Sequence, residues 1–148
     1  MRRRAVVAAL AAALAGGAAG CDEPLSDLGG PTPDLRPTFS SIQRDIFENG
    51  DSSGRVPCVQ CHNPGGAFFN GLNLTSAVAY DNLVGAASRG KPGAIRVVAG
   101  DPENSYLIHK LEGRAGIAGV RMPLVGPPLT DGQIQIIERW IALGAAND

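Results

Sequence analysis

The chain has 148 residues, 44% of them hydrophobic and 18% charged, with a formal net charge of −1. This balance excludes a disordered polyelectrolyte and points to one globular domain. A slightly acidic chain is also a poor match for nucleic acid, whose phosphates select a basic surface.

Residues 1–20 read as an export leader rather than as part of the fold. Arg2, Arg3 and Arg4 are basic, Ala5 to Leu14 is apolar but too short to span a bilayer, and Ala18, Ala19 and Gly20 lead to Cys21. Small residues followed at once by a cysteine resemble the lipobox of bacterial lipoproteins. In that family the signal is cut before the cysteine, which then carries the lipid. The match departs at Ala18, where the family prefers Leu, so ordinary cleavage with a free Cys21 stays open beside lipidation. The leader holds three of the 13 basic residues and none of the 14 acidic ones, so its removal leaves a net charge of −4. No later apolar run is long enough to cross a membrane, which makes the lipid the expected attachment.

Residues 21–37 follow as an expected tether. Asp22 to Pro37 holds four prolines and an adjacent glycine pair with almost no apolar periodicity, and it would reach about 50 Å at ~3.3 Å per residue. The domain is expected over residues 38–148. Its first helix has Ser40 and Gln43 spaced as a capping box, with Phe39, Ile42 and Ile46 on one face, and it ends by Gly50. A polar turn, Asp-Ser-Ser-Gly-Arg, leads to Cys58-Val-Gln-Cys61-His62.

A second helix is expected from a cap at Thr75 or Ser76 through Val78, Tyr80 and Leu83 to Gly85. The segment after it is a loop with a short β-branched piece. A third helix reads from Asp101 as N-cap and Pro102 at the first position, with Leu107, Ile108 and Leu111 inward and Gly113 as its stop. Arg114 to Leu129 is Gly- and Pro-rich without period, and a loop of that length in a small domain usually has a task. The last helix opens on Thr130 with Gln133 three residues on. Ile134, Ile137 and Ile141 form its stripe with Trp140 beside them, and Gly144 ends it. Four helices and no convincing strand give a small all-α class with long Gly/Pro-rich loops.

Cys-x-x-Cys-His is the attachment signature of c-type haem. Two residues between the cysteines let each thiol reach one vinyl group on the same porphyrin edge, and the adjacent imidazole then falls under the iron. His62 is therefore the expected proximal ligand, its other nitrogen held by a backbone carbonyl. A thioredoxin-like pair would need a βαβ context, and half of a zinc site would need further ligands. Neither is present in the sequence, and His109 is the only other histidine. Met122, in the long loop before the last helix, is the leading candidate for the second axial ligand, with His109 as runner-up on a more exposed helix face. If Cys21 is lipidated and Cys58 and Cys61 carry haem, all three thiols are used and no disulfide remains to propose.

The segments CVQCH, GLNLTSAVAYDNLVG, GDPENSYLIHKLEG, RMP and LTDGQIQIIERWIALGA together resemble small monohaem cytochrome c domains. Those most similar occur in periplasmic and surface-attached proteins of planctomycetes and myxobacteria. The resemblance runs from about Phe39 to Ala146. It implies a helical cytochrome c-like fold around one covalent haem, with its first and last helices crossing beside the haem. The family's roles then fall on Cys58, Cys61 and His62, with Met122 on the distal side. Only 5% of residues are aromatic, so a buried porphyrin would replace ring area in the core, packed by Phe39, Ile42, Ile46, Leu107, Leu111, Ile137 and Trp140. Trp140 can equally be plain core. Lys91, Arg96 or Arg121 could pair with haem propionates or stand in solvent.

The functional expectation is a periplasmic, lipid-anchored electron carrier, not an enzyme, whose partners are redox proteins and, through the lipid, the membrane. Two other readings stay open: a haem enzyme or gas sensor with a labile distal ligand, and a haem-bearing docking module of a larger complex.

Overall fold

The computed structural model describes residues 30–65 and 71–148. The leader, Cys21 and most of the expected tether lie outside the described residues. Within them the chain is helical, with isolated β-bridges and no named strand. No helix of the described residues is long and apolar enough to cross a membrane.

Helix α1 spans Phe39–Ile42 and continues without a break as a π-helical segment, Gln43–Glu48. Its cap is Thr38, whose hydroxyl accepts from the Ser41 amide at 3.3 Å. The Ser40/Gln43 box expected from spacing does not form, because Gln43 turns inward and its Nε2 donates to the Leu74 carbonyl at 2.8 Å. The C-terminus satisfies the remaining donors of α1: Phe39 N–H donates to Asp148 Oδ1 at 2.8 Å and Ser40 N–H to the Asp148 carbonyl at 2.9 Å. Helix starts leave such amides unpaired unless something else supplies acceptors.

Helix α2, Ala79–Leu83, begins later than its expected cap. Thr75 instead opens a preceding turn, its carbonyl accepting from Val78 and Ala79, while Asn73 Oδ1 accepts from the Thr75 amide at 3.0 Å. Beyond α2 the β-branched piece makes a single parallel bridge, Val84 to Val97, and an antiparallel one, Ala87 to Ile95.

Helix α3, Tyr106–Glu112, also starts later than expected, with Ser105 rather than Asp101 before it. The Asp101 carboxylate is occupied in a tight turn, accepting from Asn104 N–H at 3.1 Å and from Asn104 Nδ2 at 2.7 Å. Ser105 Oγ donates to the Asp101 carbonyl at 2.8 Å, which closes the same turn. Gly113 ends α3 as expected, at φ +76°, a conformation that favours glycine.

Helix α4, Asp131–Ala142, carries the capping box expected from Thr130 and Gln133. It packs against α3 and buries Ile134, Ile136, Ile137, Trp140 and Ile141. Phe39 ties α1 to α4, its ring centroid 5.6 Å from that of Trp140 and 5.2 Å from that of Tyr80.

The folded part begins before Thr38, which shortens the expected tether. Leu35 is 0% exposed, and Thr32 is buried with its hydroxyl accepting from Gln133 Nε2 at 3.0 Å. One leucine in a Pro-rich stretch makes no period, so burial there has no sequence signature.

Candidate functional site

Pro57 leads into a single 3₁₀ turn, Cys58–Gln60. The Cys58 carbonyl accepts from Cys61 N–H at 3.2 Å and His62 N–H at 2.9 Å, which winds the thiols and the imidazole around one turn. The Leu74 amide then donates to the His62 carbonyl at 2.9 Å, fixing the turn to the segment before α2.

Beside this turn lies a cavity of about 610 Å³, within the roughly 300–1,000 Å³ of small-molecule and cofactor sites. Cys58, His62 and Met122 all line it; Cys61, half-buried, does not. Its apolar wall is Phe47, Leu72, Leu74, Leu83, Leu107 and Leu111. Of the residues expected to surround a cofactor, only Leu107 and Leu111 do so. Phe39, Ile42, Ile46, Ile137 and Trp140 form the core behind it.

Met122 arrives on a loop clamped to α3. Its amide donates to the Lys110 carbonyl at 2.8 Å, and Arg121 Nε donates to the Leu111 carbonyl at 2.6 Å. Tyr106 Oη accepts from the Ala118 amide at 2.8 Å. His109, the alternative ligand, points elsewhere: it is half-buried with Nε2 2.6 Å from the Glu103 carbonyl, and it does not line the cavity.

Among the described residues that line the cavity, three are cations, Arg89, Arg96 and Lys110, and none is a carboxylate. Arg96 is buried, donating to the Asn82 carbonyl at 2.7 Å and the Gly71 carbonyl at 2.9 Å. Burial first, and Arg89 second, push its pKa down from the usual guanidinium range. Lys110 is lowered by burial alone. A desolvated cation without an acid beside it gains from an anionic ligand. Of the three cations singled out in the sequence, Arg96 is at the cavity, while Lys91 donates to the Gly116 carbonyl at 2.8 Å and Arg121 is engaged by Leu111. Arg89 and Lys110 have no sequence signature, since a lysine on an amphipathic helix ordinarily reads as surface.

Comparison with protein-family models, curated proteins and solved structures finds no match.

Burial pushes the Cys58 thiol up to about 11, so at neutral pH it is S–H, and it donates to the Ile46 carbonyl at 3.4 Å. Among the described residues no three His, Cys, Asp or Glu side chains are grouped as a metal cage requires. An imidazole and a thioether on an apolar cavity, a thiol at its edge and cations in its wall suit a ligand with an apolar body, an anionic end and its own metal.

Proposed function

We propose that this chain is a membrane-anchored c-type cytochrome that carries one haem on Cys58 and Cys61 and passes electrons between redox proteins. The observation that carries this reading is that His62 and Met122, from distant segments of the chain, line the same apolar cavity as Cys58. The cations fit the ligand's acidic end: Arg96 and Arg89, with Lys110, offer charge-assisted bonds to two propionates. The second thioether, at Cys61, rests on the spacing of the motif. The cytochrome c-like arrangement of the helices, the export leader and the lipid on Cys21 belong to the same proposal and rest on the sequence.

When bound, haem supplies a one-electron ferric/ferrous couple. The protein's part is to set its environment. His62, carried by the attachment turn, and Met122, a neutral thioether, are the side chains that would hold the iron, and the thioether would raise the potential relative to a second imidazole. An iron held by both side chains would offer no place to a substrate, which favours electron transfer over peroxide or gas chemistry. The clamping of the Met122 loop to α3 favours the same choice. The leucine wall would face a bound haem with apolar surface and limit the solvent that a change in its charge must reorganise.

The test is covalent retention. Produced with cytochrome-maturation machinery, the chain is expected to hold one haem through acid-solvent extraction and denaturing electrophoresis. Replacing Cys58 and Cys61 together by Ser is expected to leave none bound covalently. Haem that extracts freely from the parent chain, or a parent chain that takes up none, contradicts the proposal.

A further inference from the structure

The segment before the attachment turn reads as a polar loop, yet its last residue is the most enclosed charge of the described chain. Arg55 is 2% exposed, and its ion pair with Asp51, 2.9 Å from Nε to Oδ2, is buried on both sides. The guanidinium spends every donor. Nη1 donates to the Ile46 carbonyl at 2.9 Å and the Val56 carbonyl at 3.3 Å; Nη2 donates to Asp45 at 2.9 Å and Asn49 at 3.0 Å. The Asp45, Ile46 and Asn49 oxygens are on or just beyond the π-helical segment, whose widened turns are rare and concentrate at functional sites. The loop closes tightly for this purpose: a Cβ on Gly50 would lie 2.4 Å from the Arg55 carbonyl oxygen.

The Ile46 carbonyl has a second donor. Cys58 Sγ bonds the same oxygen at 3.4 Å, so Arg55 and the first attachment thiol share one acceptor. A buried ion pair is weak support for stability, because desolvation offsets most of its attraction. Its placement three residues before Cys58 calls for a geometric role.

We propose that Arg55 is a positioning residue for thioether formation at Cys58, holding the end of the π-helical segment and the attachment turn in the register that presents Sγ to the cavity. The inference rests on the haem reading above. In the step concerned, the thiol S–H adds across a haem vinyl group: a sulfur–carbon bond forms, the C=C π bond breaks, the hydrogen passes to the neighbouring carbon, and no net electron is exchanged. Such a step is sensitive to placement; an error of about 1 Å can slow a positioned reaction about a hundredfold. Lysine cannot substitute, since its three donors on a point charge do not reproduce a planar fork that reaches four carbonyls and a carboxylate.

The experiment uses the matured full chain and its R55K variant, with D51N/R55M as a second variant that removes both buried charges together. Each is denatured, alkylated with iodoacetamide, and mapped by mass spectrometry. The parent should show both thiols blocked by haem; a parent with neither blocked overturns the haem reading itself. In the variants we expect Cys58 to be alkylated in most haem-bearing molecules while Cys61 stays blocked, with the reduced pyridine haemochrome band shifted to longer wavelength by one free vinyl group. Folded variants with both thioethers formed as in the parent, or with both thiols freed equally, overturn the proposal.

Discussion

Met122 is joined to Lys110 through the backbone, its amide donating to the lysine carbonyl at 2.8 Å. The ammonium of the same lysine reaches forward to the Ala118 carbonyl at 2.9 Å and to the Val120 carbonyl. One residue at the end of α3 therefore holds both ends of the segment that delivers the sulfur. The last carbonyls of a helix are acceptors in need of partners, and here the loop supplies them.

Lys110→Leu should keep the fold and loosen that segment. The lost bonds are partly exposed, so the stability loss should be about 1 kcal/mol. If Met122 holds the iron as proposed, the variant should bind added imidazole more tightly than the parent in a ferric spectral titration. Unchanged imidazole affinity would show that the clamp does not govern the ligand.

Acid should act through Asp51. Burial alone would raise its carboxyl, but bonds from Ser53, Arg55 and Gln133 outweigh burial and hold it at about 2, against an ordinary 3.8. Because the folded value is the lower one, the stabilisation is complete above 3.8 and is lost as pH falls toward 2. It should amount to about 2 kcal/mol. Thermal melts between pH 5 and pH 2, ranges set by those values, should show a steep fall in Tm that Asp51→Asn flattens. At neutral pH the same variant should lose about 3–5 kcal/mol, since it strands the Arg55 charge.

Gln133 joins three parts of the chain. Its Oε1 accepts from Thr130 N–H at 2.9 Å to complete the capping box, and its Nε2 donates to Thr32 Oγ1 at 3.0 Å and Asp51 Oδ2 at 3.3 Å. Gln133→Ala should cost about 1–3 kcal/mol. Gln133→Glu keeps the acceptor but sets a second carboxylate against Asp51, so it should be less stable than the parent at pH 7 and recover part of the difference in acid. Urea melts at both pH values separate the two effects.

Leu35 tests where the domain begins. It is fully buried in a stretch whose composition reads as linker, and Leu35→Ala should cost about 2–5 kcal/mol. A loss under about 0.5 kcal/mol, the scale of an ordinary surface change, would return residues up to Pro37 to the tether.

What the sequence made legible follows from how local each signal is. The Thr130/Gln133 box is complete within a few residues, so spacing alone identifies it. The stripe Ile134, Ile137, Ile141 is equally local and is buried. Helix starts that depend on competing side chains are not legible from spacing: Asp101 closes a turn on Asn104 rather than capping α3, and Gln43 leaves α1 for the Leu74 carbonyl. Nothing in Asp-Ser-Ser-Gly-Arg announces a buried ion pair, because its acceptors are backbone carbonyls that only the folded chain gathers. The same holds for Arg89 and Lys110, which become wall residues of the cavity only when distant segments pack around it.

The most direct test of the central claim is the ferric absorption spectrum of the matured chain beside its Met122→Ala variant. The account predicts a low-spin spectrum with the weak far-red band of sulfur-ligated haem in the parent. That band should vanish in the variant, while the haem stays covalently attached. A far-red band that survives Met122→Ala, or a parent that is already high-spin, would contradict the assignment of Met122 and with it the closed, electron-carrying site.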